Sequence, residues 1–267
     1  MRGLDSLLSF RADHPSATVS IGGREWRYIA SEADASAPAL IMLPGAFGAA
    51  ELFWNQITDL GDRLRIVAAT YPPADHVGLL ADDVAGLIDH LGFASANLLG
   101  TSLGGYIAQR FAGRHGARIE TLFLANSLTR TDQLAGDFDH AAIAARSGGE
   151  IRAGVEASIA AYAETDPAVA ALKRILVDHG RHCLTDAMVK SRKLALATLT
   201  EPPPLEVPDE RIVLIESDDD PVIAEAGRAH MRQRYPGAAR HTLTGGHFPY
   251  VTRADRYSAI IADRLLS

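Results

Sequence analysis

The sequence predicts an α/β fold with a mostly parallel central sheet, helices on both of its faces and an inserted helical cap. Two observations carry this. Short continuous apolar runs alternate with helix-period segments, which implies buried parallel strands joined by right-handed crossovers. That rhythm is broken once, by a long stretch rich in Ala, Arg and Asp over Gln133–Leu199, and then resumes.

The elements follow in order. Thr18 to Ile29 alternates as strand, turn and strand, with Gly22-Gly23 able to form a two-residue hairpin turn, so the chain opens antiparallel. Ala39–Leu43 is a strand covered on both faces and closed by Pro44-Gly45. Arg65–Ala69, Ala96–Leu99 and Thr121–Leu124 repeat that pattern. Between them lie helical segments at Ala50–Leu60, Val77–Leu91 and Leu103–His115. Gln133–Leu199 reads as helical throughout. Glu201-Pro202-Pro203-Pro204 and Pro208 form a stiff connector, because consecutive prolines cannot continue a helix. Strand Ile212–Glu216, helix Ile223–Tyr235, strand Ala239–Leu243 and helix Tyr257–Leu266 complete the chain. The expected division is a core of residues 1–129 and 206–267, with 130–205 as cap and connector.

Composition narrows the function. The 267 residues are 47% hydrophobic, enough for a large buried core, and 26 Lys and Arg against 33 Asp and Glu leave a formal charge of −7. With no cationic block, a nucleic-acid backbone would be repelled. Met1–Phe10 carries Arg2 and Asp5 and builds no signal-peptide core, and no run approaches the roughly 20 apolar residues of a membrane span. The single cysteine, Cys183, suits a reducing compartment. A cytoplasmic protein with a small-molecule partner is expected, and monomer and homodimer are equally compatible with the pattern.

The most informative stretch is Gly100-Thr101-Ser102-Leu103-Gly104, a G-x-S-x-G placed between a strand and a helix. Such a turn lifts a serine hydroxyl above the strand ends, and the glycines leave room for the neighbouring backbone. A serine needs a base, and His247 follows the last strand in Thr244-Gly245-Gly246-His247-Phe248-Pro249. The base needs an acid, and Asp218-Asp219-Asp220 follows the preceding strand. Two amides aimed at a developing oxyanion would come from Leu103, at the helix start, and Ala46, in the loop after Ala39–Leu43. Phe47, Phe53 and Trp54 are either walls of an acyl pocket or plain core. His179, His182 and Cys183 share a short segment, but a structural zinc site wants four ligands and no fourth is near, so no metal is expected. The glycines around Ser102 lack the G-x-G-x-x-G spacing of a dinucleotide site, and no cofactor is expected either.

These motifs resemble the α/β-hydrolase superfamily over nearly the whole chain, and within it maspardin and its bacterial relatives. The latter likeness rests on Phe53-Trp54-Asn55-Gln56-Ile57, the run Gly100 to Phe111, Ala125-Asn126-Ser127, Tyr235-Pro236-Gly237-Ala238 and Gly245 to Tyr250. The resemblance implies a Ser-Asp-His triad of Ser102, Asp220 and His247. Asp220 is favoured because the superfamily acid usually lies three residues past a turn glycine, where this chain has Ser217; Asp219 is the reserve. Pro44 stands where many relatives have histidine. Maspardin lacks the histidine of the last motif and is regarded as a binding protein, so His247 is a departure that favours an active enzyme. The expected function is a serine hydrolase cleaving an ester, thioester or similar acyl bond. The rivals are a non-hydrolytic binding or adaptor protein, and a C–C hydrolase or cyclase on the same fold.

Overall fold

The computed structural model describes residues 2–162 and 167–267. The expectation of continuous helical character over Gln133–Leu199 therefore includes 163–166, which lie outside the described residues. The eight strands are β1 (Ala17–Ile21), β2 (Arg24–Ala30), β3 (Ala39–Leu43), β4 (Arg65–Thr70), β5 (Ala96–Thr101), β6 (Ile119–Ala125), β7 (Ile212–Ser217) and β8 (Ala239–Leu243). They form one sheet in the order β1-β2-β4-β3-β5-β6-β7-β8. β2 pairs antiparallel with both β1 and β4, and every other pairing is parallel.

The helices are α1 (Leu4–Asp13), α2 (Trp54–Leu60), α3 (Val77–His90), α4 (Leu103–His115), α5 (His140–Ala145), α6 (Gly148–Ala160), α7 (Pro167–Cys183), α8 (Asp186–Leu196), α9 (Glu225–Arg234), α10 (Pro249–Thr252) and α11 (Ala254–Leu265). α5 to α8 lie between β6 and β7. Sequence reading tested Met1–Phe10 only for a leader and passed over α1, whose Leu7 and Phe10 are buried. Nor is Ala50–Leu60 one helix: Ala50–Phe53 is a 3₁₀ turn that runs into α2.

The strand period sorts the core into two layers. Ile41, Val67, Leu98, Leu122 and Leu214 face one side with residues of α3, α4 and α9. Their neighbours Met42, Ala68, Leu99, Phe123 and Ile215 face the other, with residues of α1, α2 and α11. Adjacent residues of a strand point to opposite faces, so continuous apolar runs are what a sheet covered on both sides demands. Leu172, Ile175 and Leu176 of α7 join the second layer, which anchors one inserted helix directly on the core.

Polar groups tie the periphery down. The β1–β2 turn uses Gly22 at φ 56° and Gly23 at φ 75°, a left-handed pair suited to a two-residue hairpin. The buried carboxylate of Asp83 on α3 accepts from Arg24 Nε at 2.7 Å and Trp26 Nε1 at 3.0 Å, which holds β2 against that helix. On the opposite side Glu51 accepts from Arg11 Nε at 2.7 Å and from His179 Nδ1 at 2.8 Å, joining α1, the 3₁₀ turn and α7. Among the described residues no helix is long and apolar enough to cross a membrane.

This last cluster makes stability depend on pH. Burial alone would raise the Glu51 carboxyl, but the bonds from His179 and Arg11 overrule it and hold it at about 2. Burial pushes the His179 imidazole below its ordinary 6.5, against the pull of Glu51. As pH falls through 6.5 the unfolded chain therefore takes up a proton at this histidine that the folded chain refuses. Below 4.5 the same holds for Glu51, until its own titration near 2. The thermal midpoint should drop between pH 7 and pH 5, and His179→Asn should flatten that slope by up to about one proton. Equal slopes in the two proteins would show that His179 is not responsible.

Candidate active site

Ser102 sits between β5 and α4 with φ 51° and ψ −121°. A residue with a side chain rarely takes this left-handed backbone, and it costs on the order of 1–3 kcal/mol. Three bonds hold it: Ser102 N donates to Ala125 O at 2.9 Å, Tyr106 N to Ser102 O at 3.1 Å, and Ser127 Oγ to Ser102 O at 3.0 Å. The flanking glycines permit the crossing that forces the turn. A Cβ on Gly100 would strike the Gly104 carbonyl, and one on Gly104 would strike the Leu43 carbonyl of β3.

His247 reaches the same place from the loop after β8. Gly245 at φ 107° and Gly246 at φ 72° bend the chain, and Asp219 clamps the bend, accepting from both glycine amides at 2.9 Å. His247 Nδ1 donates to Asp220 Oδ2 at 2.9 Å and lies 3.1 Å from Oδ1. Because the partner is a carboxylate, Nδ1 must carry the hydrogen, and Nε2 is left on the other edge of the ring.

Asp220 is buried and accepts three further bonds, from Asn126 Nδ2 at 2.7 Å, Val222 N at 2.7 Å and Ile223 N at 3.1 Å. Burial by itself would raise its carboxyl. The charge and hydrogen bond of His247, with the donors Asn126 and Val222, reverse that and hold it at about 2. The two aspartates left open by the sequence thus divide: Asp220 meets the imidazole and Asp219 holds the loop that carries it.

Ser102 and His247 line one cavity of about 250 Å³. Gly45 and Ala46 line it too, and Gly45 presses on the serine, since a Cβ there would lie 3.1 Å from that of Ser102. The loop is fixed from behind. Tyr71 Oη donates to Gly45 O at 3.1 Å, and the wholly buried Arg192 of α8 donates to Gly48 O and Tyr71 O, each at 2.6 Å, and to Ala46 O at 3.4 Å. Leu103 opens α4, where a helix leaves its first amides unpaired. Phe47 is on the cavity wall, whereas Trp54 lies in the second core layer with no face on the cavity. Phe53 is also core, its ring centroid 5.1 Å from that of Tyr250.

Sequence reading missed the parts played by Asn126 and Arg192. Asn126 had a signal: it follows a strand, and it adopts φ 41°, a conformation asparagine tolerates better than most residues. Arg192 had none, because its partners are far away in the chain.

Glu51, His182 and Cys183 bring ligand atoms within 4.8 Å of one another, away from this cavity. Their surroundings oppose a cation. Both Glu51 oxygens already accept from Arg11, and Arg27 lines the same recess. Burial, and then the Glu51 charge, push the Cys183 thiol up, away from the thiolate a metal would need.

Residues 40–260 match the family model described as the alpha/beta hydrolase family. Human maspardin is 28% identical over 232 residues, spanning 85% of this chain and 74% of maspardin. Among solved structures, the enol-lactonase from Burkholderia xenovorans superposes with a TM-score of 0.80 at 20% identity, covering 94% of this chain and 100% of that one. A thermophilic esterase from Thermogutta terrifontis gives 0.75 at 18% identity, covering 94% and 97%. These structural likenesses concern the fold. With a family match spanning most of its length, this chain belongs to the alpha/beta hydrolase family.

Proposed function

We propose that this protein is a serine hydrolase that cleaves an ester, thioester or similar acyl bond of a small organic substrate. The observation that carries the reading is the buried His247–Asp220 pair facing the cavity that Ser102 also lines. A binding protein of the maspardin kind would have no evident use for an imidazole held by a buried, ionised carboxylate at the cavity wall.

In this reading Ser102 Oγ attacks the carbonyl carbon while its proton passes to His247 Nε2. The charge that develops on the carbonyl oxygen is met by the amides of Ala46 and Leu103. As the intermediate collapses, His247 returns the proton to the leaving alcohol or thiol, and an acyl group remains on Ser102. Water, deprotonated by the same imidazole, then releases the acid. No cofactor is required at any step. α5 to α8, with the connector up to residue 205, serve as a cap over this cavity, and the site belongs to a cytoplasmic protein acting on small molecules.

Labelling tests the nucleophile: a fluorophosphonate should modify the native protein and fail with Ser102→Ala, while His247→Ala should suppress labelling in a protein that is still folded, with a lowered thermal midpoint because the buried Asp220 loses its partner. Labelling that persists in Ser102→Ala would remove Ser102 from the mechanism. The acid substitutions should separate by size. Asp220→Asn, which leaves the imidazole in the wrong tautomer, should lower kcat by roughly a thousandfold or more. Asp219→Asn keeps one acceptor for the two glycine amides and should cost about tenfold. Comparable losses would mean that Asp219 shares the acid's role.

The pH profile has a defined sign. Asp220 contributes above the ordinary carboxylate range and is lost only as pH falls through about 2. An acid limb at mildly acidic pH is therefore not the titration of Asp220, and should persist with unchanged position in Asp219→Asn. An acid limb confined to pH near 2 would instead show that protonation of the Asp220 carboxyl limits the reaction.

A further inference from the structure

Apart from Ser102 and His247, the cavity wall is largely apolar, with Thr101, Ser158 and Tyr162 as neutral polar members and Lys193 as a single basic side chain beyond the histidine. Phe47, Phe138, Ile159, Val189 and Leu196 line it, and among them α8 inserts the half-buried side chain of Lys193. Its Nζ lies 3.8 Å from the centre of the Phe138 ring. No carboxylate pairs with it among the described residues. Asp137 and Asp139 stand on the neighbouring rim as anions, each accepting a backbone amide, Asp139 Oδ1 from Ala142 N at 2.7 Å and Asp137 Oδ1 from Asp139 N at 3.1 Å, and neither forms an ion pair with the ammonium. Arg146, on the same rim, adds a like charge.

An ammonium drawn into an apolar recess with no ion pair among the described residues loses hydration, which the Phe138 ring repays only in part. Burial, and then Arg146, accordingly lower its pKa. Each of these costs is relieved by an anion entering from the cavity. Through both chemical steps proposed for Ser102 the acyl part stays bonded to the serine while the leaving group departs, so an anionic group on the acyl part would keep its contact with Lys193 throughout.

We propose that Lys193 is an anion receptor within this cavity, and that the preferred substrates are esters or thioesters of small dicarboxylic acids, whose apolar acyl chain ends in a free carboxylate. The inference rests on the reading of Ser102 as nucleophile and adds the substrate class.

The test compares para-nitrophenyl hydrogen adipate and hydrogen pimelate with the neutral hexanoate and heptanoate esters of matching chain length. The wild-type kcat/KM should favour the anionic member of at least one pair by about tenfold or more. That ratio should fall by a similar factor in Lys193→Met, survive in Lys193→Arg, and shrink as salt is raised. Wild-type ratios at or below one for both pairs, or a preference unchanged in Lys193→Met, would overturn the proposal while leaving the hydrolase reading intact. If none of the four esters is turned over, the hydrolase reading fails instead. Calorimetric titration of Ser102→Ala with monoethyl adipate then decides the receptor alone: binding that Lys193→Met abolishes supports it, and no binding refutes it.

Discussion

Where β5 gives way to α4, backbone touches backbone with no side chain between. Gly104 lies against the Leu43 carbonyl of β3, and Gly100 against the carbonyl of Gly104. The helix therefore sits closer to the sheet than any larger residue would allow, and the single residue between strand and helix has no relaxed conformation open to it. Ser102 takes φ 51° as a result. The strain is sustained because β3, β5 and β6 are buried almost throughout and their pairings leave the strand ends no freedom. One contact thus fixes the height of the serine, its approach to Gly45 and the position of the helix start at Leu103.

Asp220 and His247 are held on a different principle, electrostatic rather than steric. A carboxylate buried as Asp220 is would ordinarily hold its proton. It is kept ionised by His247 and by three donors from two places in the chain: the Asn126 side chain beyond β6 and two amides beyond β7. Those elements are stitched together at the same point, since Ala135 N donates to Val222 O at 2.8 Å and Ala224 N to Gln133 O at 3.0 Å. The segment entering the inserted helices is therefore part of what holds the acid loop. Asp219 completes the arrangement by acting on the other loop, so two adjacent carboxylates position the histidine from opposite ends.

What could be read from the sequence divides along the range of the forces involved. The strands β3 to β8, the glycine turn at Ser102 and the loops bearing Asp220 and His247 follow from local pattern, because period, glycine and proline act within a few residues. The choice between Asp219 and Asp220 needed the fold, as both sit one bond from the same turn and only the direction of each side chain separates them. Trp54 misled for a related reason. An aromatic at a helix start packs inward or outward with equal local plausibility, and here the ring points into the layer shared with Leu60 and Tyr250. α1 was passed over because its burial comes from residues far along the chain, and its own amphipathic pattern is weak. Arg192 is the extreme case, a charged residue on a helix whose local setting suggests solvent.

Arg192 also shows how the helices between β6 and β7 bear on the cavity at Ser102. Among the described residues no carboxylate pairs with its buried guanidinium, whose centre is 4.0 Å from that of the Tyr71 ring and whose donors end on the carbonyls of Ala46, Gly48 and Tyr71. Removing such a group would strand several buried acceptors at once, so α8 and the 44–48 loop behave as one body. Tyr71 carries the connection further, since its hydroxyl donates to the Gly45 carbonyl. That carbonyl belongs to the same peptide unit as the Ala46 amide, and a bond accepted at the oxygen polarises the unit and strengthens its N–H as a donor. The guanidinium, the phenol and the peptide thus form a chain directed at the place where the proposed reaction would develop negative charge. On the same helix the next residue, Lys193, lines the cavity itself, so that α8 bears both on the backbone of the 44–48 loop and on the polarity of the cavity wall.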